Sequence, residues 1–154
     1  MHEHERLSLS DYEETIREVL DSGGEFTIYP GGASMLPLIA EGRDSVSLVK
    51  PENGVNTGDI ALYRRKNGQY VLHRVIGMKN GCYTMCGDNQ LAPEKGITDR
   101  DIIGIVGRIR RKGRDIPADS FFYGVYCFLW RSFFVRRVYF KLRKIFGRSG
   151  NRND

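Results

Sequence analysis

Between residues 25 and 110 the chain is cut into short apolar runs by Gly and Asn, most clearly at Asn53-Gly54, Asn67-Gly68 and Asn80-Gly81. An Asn-Gly pair supplies the left-handed backbone that a tight hairpin turn needs, so such pairs join strands and leave no room for a helix between them. The alternation predicts strands over 26–29, 45–50, 59–64, 69–78, 82–86 and 102–109. Short strands without alternating helices argue against a doubly wound sheet and for a compact, mainly β domain, antiparallel or mixed. A chain of 154 residues suffices for one such domain plus appended helices but is short for two. The expected division is an N-terminal tail and short helix over 1–24, a β domain over 25–116, and a C-terminal helix and tail over 117–154.

The flanks read differently. His2-Glu3-His4-Glu5 is read as a solvated terminus without function. Ser10 followed by Glu13 fits a capping box, after which Tyr12, Ile16, Val19 and Leu20 recur at helical spacing until Gly23-Gly24 ends the run. The chain carries 24 Lys and Arg against 19 Asp and Glu, and no acidic residue occurs between Asp119 and Asp154, so the +5 excess belongs to the tail. There Val135, Val138, Tyr139, Leu142, Ile145 and Phe146 share one helical face, and Arg136, Arg137, Lys141, Lys144 and Arg148 the other. The apolar run before it, from Phe121 to Trp130, stops at Arg131, short of the roughly 20 residues a spanning helix needs. Residues 120–148 are therefore expected to lie on an anionic membrane surface rather than cross it, and nucleic acid is the disfavoured partner.

Cys82, Cys86 and Cys127 have no zinc-type spacing, and no metal or cofactor is expected. If Cys82 and Cys86 share a strand, four residues of rise hold them roughly 13 Å apart, beyond disulfide reach, and both read as small core hydrophobes. With no apolar secretory run at the N-terminus, the expected location is cytoplasmic, peripheral at the inner face of the membrane, with the extracytoplasmic side left open.

Three segments carry chemistry. Gly31-Gly32-Ala33-Ser34-Met35-Leu36-Pro37 sets a serine among small residues that let a backbone amide and a substrate come close, although a Gly-rich turn holding Ser is by itself an ordinary turn. His73 is the only histidine outside the terminus and lies in the alternating run Val71-Leu72-His73-Arg74-Val75. A serine hydroxyl needs a nearby base to become a nucleophile, and imidazole suits that near neutral pH. Gly87-Asp88-Asn89 then offers a carboxylate at a strand end that could orient the imidazole.

Taken in order, Ser34-Met35-Leu36-Pro37, Gly58-Asp59-Ile60, His73-Arg74-Val75, Gly87-Asp88-Asn89 and Ile102-Ile103-Gly104-Ile105-Val106 resemble the motif series of the signal peptidase I and LexA-like serine peptidases. The resemblance covers about residues 25–110, and a histidine before Arg-Val matches the endoplasmic reticulum and archaeal type rather than the lysine type. It implies the mostly β fold of that superfamily, with Ser34 as nucleophile, His73 as general base and Asp88 as orienting acid. Gly32, Ala33, Ser34 and Met35 would form the oxyanion and substrate-approach segment, with the Ser34 N–H as one donor. Gly32 stands where many signal peptidases have a serine. Glu94 stands where the histidine type has a second aspartate, which makes it the possible second acid. The implied substrates are extended leader, signal or pro-peptides with small residues near the cut, held by strand addition.

Two other functions compete. A self-cleaving regulator of the LexA type would need a DNA-reading unit, and residues 1–24 hold only one short helix and no Ala-Gly or Cys-Gly cleavage pair. A non-catalytic membrane-surface module would use the basic tail alone.

Overall fold

Strand β3, Ile60–Arg64, is buried on both faces, which its unbroken run Ile60-Ala61-Leu62-Tyr63 anticipates, and it lies at the centre of the sheet. The computed structural model describes residues 9–148, with side chains described through residue 145, so His2-Glu3-His4-Glu5 and the side chains of Phe146 and Arg148 lie outside the described residues. The fold is mainly antiparallel β. Around β3 run β1 (Phe26–Ile28), β2 (Asp44–Val49), β4 (Tyr70–Lys79), β5 (Cys82–Cys86), β6 (Glu94–Ile97), β7 (Ile102–Arg111) and β8 (Arg114–Pro117). Their order is β1-β2-β7-β3-β4-β5-β6, with β8 paired to β7. Helix α1, Leu9–Asp21, precedes the sheet, and α2, Phe121–Trp130, and α3, Phe133–Arg148, follow it.

Because side chains alternate across a strand, the sheet carries a core on each face. Ile60 and Leu62 point into the larger one, with Ile16 and Leu20 of α1, Leu72 of β4, Ile109 of β7 and Tyr123 of α2. Ala61 and Tyr63 point into the smaller one, with Val75, Tyr83, Met85 and Ile102. Helix α1 is further tied to β7 by Arg17, whose Nη1 donates to the Ile102 carbonyl at 3.1 Å.

Several expectations shift. Ser10 lies inside α1, and the Glu13 carboxylate turns to Arg17, Arg64 and Tyr70 rather than back to the Ser10 amide, so the capping box does not form. Cys86 is buried, whereas Cys82 and Cys127 are half-buried, and all three are free thiols. The apolar run and the basic run after Pro117 form two helices, α2 and α3, and Tyr123 of α2 completes the larger core at 7% exposure. Arg136, expected on the solvent-facing cationic side, is fully buried. No described helix is long and apolar enough to cross a membrane.

Candidate active site

The segment joining β1 to β2 is anchored by Met35, Leu38 and Ile39, each at most 4% exposed, which fixes the turn that carries Ser34. Within it Leu36 N–H donates to the Ala33 carbonyl at 3.3 Å and Ile39 N–H to the Met35 carbonyl at 3.0 Å. Gly32 N–H is committed to Glu41 Oε2 at 2.9 Å, and Ala33 is exposed. Of the four residues expected to make the oxyanion segment, Ser34 is the one left with its chemistry open: neither its Oγ nor its N–H has a hydrogen-bond partner among the described residues. The Met35 side chain belongs to the larger core and also lines the cleft beside Ser34. Ser34 borders a cleft of about 450 Å³, walled by Tyr29, Pro30 and Gly31 on one side and by Tyr70, Val71 and Leu72 of β4 on the other.

His73 follows Leu72 on β4 and faces the smaller core, 4% exposed. Its Nδ1 lies 3.2 Å from Tyr63 Oη, and Tyr63 Oη donates to Glu94 Oε2 at 2.8 Å. A phenol has one proton, and Tyr63 gives it to Glu94, so toward His73 it can only accept. Nδ1 therefore carries the imidazole proton, and Nε2 is the basic nitrogen, the tautomer a general base requires. Arg65 clamps Glu94 through Nε at 2.9 Å and Nη2 at 2.7 Å and, against the effect of burial, holds its carboxyl below the usual range. Burial, with the Arg65 charge adding to it, pushes His73 down from its ordinary value of 6.5 to about 4, so the ring is neutral at physiological pH.

Among the described residues no hydrogen bond joins Asp88 to this histidine. Adjacent residues on a strand point to opposite faces, and Asp88 is taken by Arg74, the residue after His73. Arg74 Nε and Nη2 reach its two oxygens at 2.8 and 2.7 Å, and all three groups of the cluster, Arg74, Asp88 and Arg136, are fully buried. Tyr126 Oη donates to Asp88 at 3.1 Å, Trp130 Nε1 donates to its main-chain carbonyl at 2.9 Å, and Arg136 Nη2 stands 3.7 Å from Oδ1. Burial alone would lower the Arg74 guanidinium, but the Asp88 carboxylate outweighs it and the net shift is upward. The carboxylate reached from His73 by hydrogen bonds is Glu94, through Tyr63. Sequence reading missed Tyr63, Arg65, Tyr126, Trp130 and Arg136; nothing in a Tyr or Arg at those positions marks it as a partner before the strands are in register.

The structure joins the Ser34 turn to the 87–90 turn. Asn89 N–H donates to the Ser34 carbonyl at 2.8 Å, and Arg136 Nη1 donates to the carbonyls of Gly87 and Gln90 at 2.6 and 3.2 Å. Among the described residues no hydrogen bond joins Ser34 Oγ to His73. The anchors of the Ser34 turn lie in the larger core while His73 faces the smaller one, so the two side chains can meet only around the edge of β4. That edge is open there. β3 pairs with all of 70–74, but β5 begins its pairing with β4 only at Arg74.

A Cβ on Gly87 would stand 2.6 Å from the Ser34 carbonyl oxygen, closer than a real contact allows. Gly87→Ala is expected to push the Ser34 turn outward; with Ser34 as the nucleophile that the resemblance implies, the expected cost is on the order of 10²-fold in kcat/KM, the usual effect of misplacing a reacting group by about 1 Å. Parallel measurements of peptide turnover and thermal melting check this, with the loss in turnover far exceeding any loss of stability. The sequence matches no protein-family model and no curated protein.

Proposed function

We propose that this chain is a serine endopeptidase with the signal-peptidase and LexA-like fold, cleaving extended leader, signal or pro-peptide segments with small residues near the cut. The observation that carries this reading is the Ser34 hydroxyl and amide, both without partners among the described residues, beside a cleft walled by Tyr70, Val71 and Leu72 on the β4 edge that β5 leaves unpaired, with a neutral His73 next along that strand. In an antiparallel ladder the hydrogen-bonding direction alternates, and Val71 and His73 face β3, as does Val75, whose N–H donates to the Asp59 carbonyl. Tyr70 and Leu72 then direct their N–H and C=O groups into the cleft. A peptide laid there as an added strand gains those main-chain bonds and brings a carbonyl to Ser34.

Catalysis follows from the tautomer. Nε2 of His73 takes the Ser34 proton as Oγ adds to the carbonyl carbon, and the Ser34 N–H donates to the oxygen as it becomes negative. The imidazolium, steadied through Tyr63 by Glu94, returns the proton to the departing amine, and water repeats the sequence on the acyl-enzyme. The hydroxyl–imidazole bond forms in the substrate complex, where catalytic hydrogen bonds tighten. The cationic tail suits the inner face of the cytoplasmic membrane, whose lipids are anionic, and the substrates are placed there.

The test is a survey of peptide cleavage read by mass spectrometry, with absence of any cleavage overturning the reading. Its pH dependence is specific. A lowered His73 value means that the neutral base persists below the ordinary 6.5, so activity should stay level from neutral pH to about 5 and fall as the ring is protonated near 4. An acid limb near 6.5 would show instead that the working base is a solvated imidazole.

A further inference from the structure

Of the twelve large hydrophobic side chains exposed among the described residues, nine lie on α2 and α3. They are not scattered. Helix α2 packs on the sheet through Tyr123, Tyr126, Cys127 and Trp130, and its opposite face presents Phe121, Phe122, Val125, Phe128 and Leu129 to solvent, without a polar side chain among them. Phe122 is 84% exposed, where a helix with nothing to cover it would carry charge.

Helix α3 continues the surface in three stripes. Arg136, Tyr139 and Arg143 face the domain: Arg136 reaches the 87–90 turn, Tyr139 meets the Trp130 ring edge-on at 5.2 Å, and Arg143 donates to Asn89 Oδ1 at 3.3 Å. Phe134, Val138, Leu142 and Ile145, spaced by three and four residues, form an exposed apolar stripe. Arg137, Lys141 and Lys144 form an exposed cationic stripe beside it. Helix α3 thus holds the domain through Arg136, Tyr139 and Arg143 while an apolar stripe is turned away, unlike a helix that completes a core.

We propose that this outer face of α2 and α3 docks on an anionic lipid surface, with the phenylalanines entering the acyl boundary and the cationic stripe lying at the headgroups. Charge selects this occupant over a second copy of the chain. No acidic residue occurs between Asp119 and Asp154, so two such faces would bring cations against cations with no carboxylate between them. Ten residues of α2 span about 15 Å, half of a hydrocarbon core, so the helix lies in the interface instead of traversing it. The inner face of the same two helices holds the turn behind Ser34, so lipid on the outer face leaves the cleft open to solvent-borne or surface-bound peptide.

The test uses the full chain in co-sedimentation with vesicles of phosphatidylcholine alone and of phosphatidylcholine mixed with phosphatidylglycerol. Binding is expected to the mixed vesicles at low salt, weakened roughly tenfold or more as salt screens the stripe, with little binding to phosphatidylcholine alone. Phe122→Ser with Phe128→Ser should lose binding to the mixed vesicles, and Lys141→Gln with Lys144→Gln should lose the preference for anionic lipid. Both pairs are exposed, so unchanged melting would show that folding is not the cause. Failure of the intact chain to bind mixed vesicles at low salt overturns the proposal. So does a dimer that the phenylalanine pair abolishes, or release from the vesicles by a short oligonucleotide that binds more tightly. Peptide cleavage has no part in this readout, so the two proposals stand or fall separately.

Discussion

Ser34→Ala is expected to reduce peptide cleavage by on the order of 10⁴ to 10⁶ while leaving the fold untouched, because it removes the atom that bonds to the substrate and nothing that holds the protein together. The Oγ has no partner among the described residues, and the turn is fixed by Met35, Leu38 and Ile39 instead. Loss of such a hydroxyl changes stability by no more than about 0.5 kcal/mol. The measurement is kcat/KM with a cleaved peptide beside a denaturant melt of both proteins. Near-native turnover in the variant would remove Ser34 from the chemistry.

The second large effect separates two carboxylates that look alike in sequence. Asp88→Asn should cost on the order of 3 to 5 kcal/mol of stability, because it leaves the Arg74 and Arg136 guanidiniums, both fully buried, without the carboxylate that stands between them. Against a total of about 5 to 15 kcal/mol for a domain, that brings the protein near unfolding. Glu94→Gln should leave the melt close to native, since the Glu94 side chain is 29% exposed and its ion pair with Arg65 lies at the surface. Its effect should appear in turnover: an amide cannot steady the imidazolium through Tyr63 and can hold the ring in the wrong tautomer. Equilibrium unfolding and peptide kinetics on both variants check the ranking. A stable, inactive Asp88→Asn would return that residue to the role of orienting acid.

The strand plan was legible wherever turn chemistry and alternation agreed. Asn80-Gly81, with φ of 51° and 73°, turns β4 into β5 as the pair implies. The strands that escaped notice are β6 and β8, whose sequences Glu94-Lys95-Gly96-Ile97 and Arg114-Asp115-Ile116-Pro117 are too short and charged to show a period. Each is an added edge, made by the partner strand it completes and not by its own composition. Ser34 and His73 stood out because their residue types and order are rare. The Arg74 partner of Asp88 was not legible because sequence does not show which face of a strand a distant carboxylate meets. Arg136 was read as solvated because helical spacing reveals an amphipathic face without revealing which side meets the protein, and the carbonyls of Gly87 and Gln90 that hold it belong to another part of the chain.

The clamp on the 87–90 turn also has a temporal side. Synthesis runs from the N-terminus, so Ser34 and His73 leave the ribosome well before Trp130 and Arg136. Until those two arrive, Asp88 has no indole on its carbonyl and the carbonyls of Gly87 and Gln90 lack their guanidinium, so the strut behind the Ser34 turn is unbraced. A chain assembled in this order completes the brace behind the Ser34 turn last, and a nascent or truncated chain carries Ser34 and His73 without it.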